Sequence, residues 1–244
     1  MSIPKVIHYC WFGHNEMPKL AQKCIKSWKE KCPDYEIICW NEDNFDLTQN
    51  QYMRQAYEAG KWAFVSDYAR LKIVYDHGGV YLDTDVELLK SLDGLLDGGA
   101  FMGFEDKGVV ATGLGFAAEK GNKVIEEFLK DYEEIPFILP DGSFDLTPCP
   151  KRNTDTLKRL GMDTEKVGQT FMDVQFLGKE YLCPMDYYTG KLCLTKNTYS
   201  IHHYSASWTS AVTKRTTQLK RLLGVELYNK LYGKFLHKFK WLEW

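Results

Sequence analysis

Two carboxylates, Asp83 and Asp85, close the apolar run in GGVYLDTDVELL, residues 78–89. On an extended strand side chains alternate, so residues two apart point the same way. Two like charges this close repel, and holding both near a buried sheet is costly. A divalent cation removes that cost, and hard oxygen ligands suit Mg²⁺ or Mn²⁺. Mg²⁺ keeps few protein ligands and takes the rest from substrate phosphates. Two acids at a strand end therefore fit a metal–diphosphate site. The same D-x-D spelling also occurs in solvated turns, so it does not decide the matter alone.

Three other stretches carry chemistry. In SDYAR (66–70), Asp67 and Arg70 are three apart and share one helix face. They read as a structural ion pair or as anchors for a ligand, and their helix leads straight into the D-x-D strand. In IHHYSASW (201–208), His202 or His203 could ligate a metal and the serines could donate to a phosphate. The other reading is a half-exposed loop histidine. In WFG (11–13), Trp11 ends the first predicted strand. It suits either core packing or stacking on a base, a contact worth ~1–3 kcal/mol in nucleic-acid cases.

The elements that must position these residues follow from spacing. KVIHYCWF (5–12) reads as a buried strand, and residues 17–33 as a helix with Leu20, Cys24, Ile25 and Trp28 on one side, ended at Pro33. YEIICW (35–40) reads as a second strand, 48–60 and 62–77 as helices, and 80–88 as a strand running into the two acids. This order predicts an α/β domain with a mainly parallel, Rossmann-like sheet. Ligands bind beyond the carboxyl ends of such strands, where Asp83 and Asp85 fall. Further on, 101–104 reads as a strand and 122–134 as a helix. Residues 135–153 hold four prolines and read as a long loop.

Composition sets the outer limits. The chain has 244 residues, 44% hydrophobic and 26% charged, which excludes a disordered protein and suits one large domain with an appendage. The seven cysteines show no zinc spacing, so a reducing cytoplasmic setting is expected. The start of the chain does not read as a signal peptide, and no run reaches the ~20 apolar residues a bilayer crossing needs. Charge is uneven: residues 214–244 carry eight Lys/Arg against two acids, interleaved with Leu, Phe, Tyr and Trp. Such a basic amphipathic segment suits an anionic membrane surface or a helix packed on the domain. Nucleic-acid binding is not expected, because the basic charge is confined to this tail. The division read from sequence is therefore a domain over 1–213 and a helical segment over 214–244.

PKVIHYCWFG, SDYARLKIVYDHGGVYLDTD and HHYSASW together resemble the DXD-containing sugar-transferase family. That family includes yeast initiating α-1,6-mannosyltransferases and bacterial capsular and lipopolysaccharide glycosyltransferases, with the glucosylating domains of large clostridial toxins more distant. The similarity spans residues 3–95 and returns at 180–208. The resemblance implies a GT-A fold and a nucleotide-sugar donor, with a UDP-sugar favoured by the toxin-like WFG segment. It implies that Asp83 and Asp85 hold Mn²⁺ or Mg²⁺ on the donor diphosphate, with His202 or His203 completing the site. Asp67 and Arg70 would hold the transferred sugar, Trp11 would stack on the base, and Gly79 and Tyr81 would belong to the donor site. Ser207 and Trp208 would close over the diphosphate. The implied acceptor is a glycan or lipid-linked sugar in bacterial surface polysaccharide synthesis, met at the inner face of the membrane.

The charges suggest how transfer would run. The metal and Arg70 would stabilise the departing diphosphate, and Asp67 the oxocarbenium-like sugar, with retention through front-face attack. Rival readings fit less well. A haloacid-dehalogenase-type phosphatase wants Thr or Val where Glu87 stands, and gives Asp67 and Arg70 no role. A calcium loop wants glycine where Leu88 stands. A binding module without turnover is the non-enzymatic alternative.

Overall fold

Apolar residues arrive first as an unbroken run and then at helical spacing, and the chain folds accordingly. The computed structural model describes residues 2–205, 211–224, 227, 228 and 230. Strand β1 (Val6–Cys10) is followed by α1 (Lys19–Lys31), which buries Ala21, Cys24, Ser27 and Trp28 along one stripe. Strand β2 (Glu36–Trp40) lies parallel to β1. Helix α2 (Gln51–Glu58) starts at Asn50, whose side chain accepts the Met53 N–H at 2.9 Å. Helix α3 (Trp62–His77) is buried round most of its circumference, as suits a helix wedged inside the core.

Gly78 ends α3, its N–H donating to the Val74 carbonyl at 2.8 Å. Gly79 then opens β3 (Gly79–Tyr81) at φ +107, where a Cβ would lie 2.9 Å from the Val6 carbonyl and 3.0 Å from His8 Nε2. Only glycine lets β3 lie this close to β1, so Gly79 serves the sheet. The predicted strand over 80–88 is in fact two. After Tyr81 the chain leaves the sheet, turns through Asp83–Val86 with Val86 N–H donating to the Asp83 carbonyl at 3.0 Å, and enters β4 (Val86–Leu88). Side chains of α1 hold β4: Trp28 Nε1 donates to the Val86 carbonyl at 2.7 Å, and Ser27 Oγ accepts the Leu88 N–H at 2.9 Å.

The remaining described elements are α4 (Asp93–Leu96), β5 (Ala100–Asp106), β6 (Val109–Ala111), β7 (Phe116–Ala118), α5 (Lys123–Glu133), α6 (Cys149–Arg159), β8 (Gln169–Phe171), β9 (Val174–Leu177), α7 (Lys179–Leu182), β10 (Ser200–His202) and α8 (Ala211–Leu223). The main sheet runs β2-β1-β3-β7-β5-β9-β8, with β6 on β5, while β4 and β10 form a separate antiparallel pair. The sheet is mixed, which corrects the mainly parallel expectation. β1, β2 and β3 are parallel, and β7 runs antiparallel to both β3 and β5. Antiparallel β7 needs no helical crossover of the βαβ kind, and the tight hairpin in this region joins β5 to β6. The expected loop over 135–153 also ends early. Pro150 sits in the first turn of α6, where a missing N–H costs nothing. Apolar layers cover both faces of the sheet, one under α2, α3 and α5 around Tyr52, Val65 and Phe128, the other under α1 around Trp28, Leu82 and Leu114.

Candidate active site

Helix α3 brings Asp67 and Arg70 to the carboxyl end of β3. Arg70 Nη2 meets Asp67 Oδ1 at 2.7 Å and Nη1 meets Asp83 Oδ2 at 3.5 Å, while Nε donates to the Ser66 carbonyl at 3.0 Å. Asp67 and Arg70 are 8% and 4% exposed, so this is no solvated surface pair. A buried charge is tolerated only when paired and hydrogen-bonded, and one guanidinium here spans two carboxylates. It also sits 5.3 Å from the Tyr81 ring centre, and the Tyr81 hydroxyl donates to Asp83 Oδ1 at 3.0 Å. Burial pushes the Asp67 and Asp83 carboxyls up, with the Arg70 charge opposing.

The second group forms where β10 pairs with β4. Asp83, Asp85 and His202 each bring one ligand atom, and these atoms lie within 4.8 Å of one another. His202 Nε2 is 3.2 Å from Asp85 Oδ1, and the Ser205 N–H donates to Asp85 Oδ2 at 2.8 Å. Burial works to raise the Asp85 carboxyl, but the His202 charge and hydrogen bond outweigh it and hold Asp85 below the usual carboxylate range. Two acids and an imidazole at this spacing are a donor set that fits a small divalent cation. The acids converge through a turn and not through strand alternation.

Both groups line one cavity of about 900 Å³. Trp11, Asp67, Arg70, Tyr81, Asp83, Asp85 and His202, all singled out from sequence, stand in its wall. Trp11 is half-buried, its Nε1 donating to the Asn15 carbonyl at 2.8 Å, so its ring faces the cavity and not the core. Two expected residues stand elsewhere. Gly79 packs between β3 and β1 and does not line the cavity. His203 follows the strand's alternation to the opposite side, where its Nε2 meets Glu87 Oε2 at 2.7 Å and Glu87 also binds Lys23 at 2.8 Å. Ser207 and Trp208 lie outside the described residues.

Cys149 and Gly113 also line the cavity and were not singled out from sequence. Cys149, at the start of α6, places its Sγ 3.9 Å from Arg70 Nη1 and 3.8 Å from Thr112 Oγ1. Asn153 anchors Thr112 through Nδ2 at 3.0 Å. Gly113 is a close approach: a Cβ there would lie 2.7 Å from Asp83 Oδ2 and 3.0 Å from Arg70 Nη1. The sequence signal for α6 was its first-turn proline, and for Gly113 the paired glycines of ATGLGF.

Comparison with known proteins gives this geometry a class. Residues 18–102 match the family model described as a glycosyltransferase sugar-binding region containing DXD motif. Inositol phosphoceramide mannosyltransferase 3 of Schizosaccharomyces pombe is 30% identical over 141 residues, covering 56% of this chain and 39% of that protein. The chain thus spans about two fifths of the length of that relative. An uncharacterized glycosyltransferase of Acanthamoeba polyphaga mimivirus is 26% identical over 217 residues, 84% of each chain. Among solved structures, PaToxG glycosyltransferase aligns with a TM-score of 0.51 at 19% identity, covering 65% of this chain and 70% of that one. The fold is of the GT-A type. Among the described residues no helix is long and apolar enough to cross a membrane.

Proposed function

We propose that this protein transfers a sugar from a nucleotide-sugar, with a UDP-sugar preferred, to a glycan or lipid-linked acceptor, using Mn²⁺ or Mg²⁺ and retaining the anomeric configuration. The observation that carries this reading is the meeting of Asp83, Asp85 and His202 beside the Asp67–Arg70 pair in one cavity. Asp83, Asp85 and His202 would hold the cation, which supplies positive charge against the diphosphate. An imidazole in the set suits Mn²⁺ better than Mg²⁺. Arg70 presents donors where the leaving diphosphate gains charge, and Asp67 a carboxylate where the sugar becomes oxocarbenium-like. Trp11 offers a face to the base. The acceptor then attacks on the side the diphosphate leaves, with the departing phosphate oxygen taking its proton. A lipid-linked acceptor is supported by the basic aromatic tail and by the mannosyltransferase relative, whose name gives it inositol phosphoceramide. A place in surface polysaccharide synthesis, at the inner face of the membrane, belongs to the same reading.

The test is nucleoside diphosphate release from a panel of UDP- and GDP-sugars, with Mn²⁺ and with EDTA, for the native chain and Asp85→Asn. Release from one donor, dependent on metal and reduced by about 10²-fold or more in the variant, is the expected outcome. Donor binding without any release would favour the non-catalytic module. Inverted product by NMR would overturn the front-face route.

A further inference from the structure

We propose that Tyr204 is a positioning residue for His202 and that α8 braces it through Arg221 and Tyr187. The inference rests on the reading of Asp83, Asp85 and His202 as a metal site. A histidine that ligates through one ring nitrogen ordinarily donates the other to a carboxylate, carbonyl or water, which fixes the ring. His202 departs from that habit. Its Nε2 faces Asp85, while Nδ1 is buried with no hydrogen-bond partner among the described residues. The Cys183 thiol lies near enough to favour the charged ring without reaching hydrogen-bond geometry to Nδ1. Packing holds the ring instead. Tyr204 stands edge-on to it, with ring centres 4.4 Å apart and planes at 67°.

Tyr204 is itself held from several directions. Its φ of 51° lies in the left-handed region, which is rare for a bulky residue and persists only where the surroundings impose it. Asp85 imposes it from both ends: its carbonyl accepts the His203 N–H at 2.9 Å and its carboxylate the Ser205 N–H at 2.8 Å. These two bonds bracket Tyr204 and turn its side chain inward. The Tyr204 hydroxyl then meets Cys183 Sγ at 2.8 Å, and its ring meets Tyr187 at 5.1 Å and 72°. The Tyr187 carbonyl accepts two hydrogen bonds from Arg221 of α8, from Nε at 3.2 Å and Nη2 at 3.0 Å. The Arg221 stem also covers Gly190, in the same turn as Tyr187, where even a Cβ would lie 3.2 Å from Arg221 Cδ. A continuous series of contacts therefore runs from α8 through Tyr187 and Tyr204 to the metal-facing imidazole.

The test titrates Mn²⁺ alone into the full chain by calorimetry, with thermal melting to confirm folding. Tyr204→Leu removes the ring and is expected to weaken Mn²⁺ binding about 10–100-fold, the usual loss for an outer-shell partner. Tyr204→Phe keeps the ring and is expected to bind as the native chain does. Arg221→Gln, at the outer end of the series, is expected to weaken binding in the same direction by less, and it serves if Tyr204→Leu does not fold. In a His202→Ala background Tyr204→Leu should cost nothing further, because its effect runs through His202. Native affinity in both a folded Tyr204→Leu and Arg221→Gln, or an equal loss with and without His202, overturns the proposal. A native chain that binds no Mn²⁺ overturns the metal-site reading itself and takes the proposal with it.

Discussion

Arg70 satisfies two carboxylates at once, the buried Asp67 and the half-buried Asp83, and that double duty makes it irreplaceable by another cation. Lysine offers one compact charge on a flexible stem, where this site uses a planar fork reaching Asp67 and Asp83. Arg70→Lys is expected to fold and to lose about 10²-fold or more in donor turnover. Arg70→Met leaves buried acids uncompensated, and thermal or urea melting should show a loss of about 3–5 kcal/mol. Asp67, Arg70, Asp83 and Asp85 were legible in the sequence because they fall within one helix and the turn after it. The choice between His202 and His203 was not. It depends on which of two adjacent residues faces Asp85 once β10 pairs with β4, and a three-residue strand carries too little pattern to announce that parity. Cys149 and Gly113 were missed for a related reason, since each matters through a neighbour far away along the chain.

At the scale of elements, the junction of β1 with α3 and β3 turns on His8. The buried imidazole meets the Gly78 carbonyl through Nε2 at 2.9 Å, and its Nδ1 accepts from Trp40 Nε1 at 3.1 Å. Those partners fix the neutral tautomer, with the proton on Nε2. Burial lowers the His8 pKa from 6.5 to about 4. Folding therefore favours the uncharged ring. The stability it contributes is full above about pH 6.5 and lost as pH falls through about 4, about 3 kcal/mol in all. Urea melts of His8→Gln, whose amide can donate and accept along the same directions, should show a shallower fall across that window. The early β-α-β order was readable because apolar runs and helical spacing change cleanly there. Helix α6 was obscured by Pro148 and Pro150, which mark a loop and a helix start equally well.

On the scale of the whole molecule, the excess of basic charge lies in residues 214–244, after the residues that line the cavity. The proposed encounter with an anionic membrane rests on the tail, so neutralising Lys234, Lys238 and Lys240 to Gln should reduce sedimentation with phosphatidylserine vesicles and leave donor hydrolysis unchanged. High salt should mimic the substitution, because such attraction is screened within a Debye length. The β4–β10 pair has a consequence for synthesis. His203 and Glu87 are 116 positions apart, and Ser205 and Asp85 are 120 apart, so the cluster assembles only when the chain returns on itself across that separation. Contacts of such separation form late, since a long loop must close first. A ribosome-bound intermediate ending before Ser200 already has both acids and the arginine but lacks His202, the third member of the proposed metal site. Under the proposed metal-site reading, cation capture would therefore wait until β10 has paired with β4 and brought His202 to the two acids.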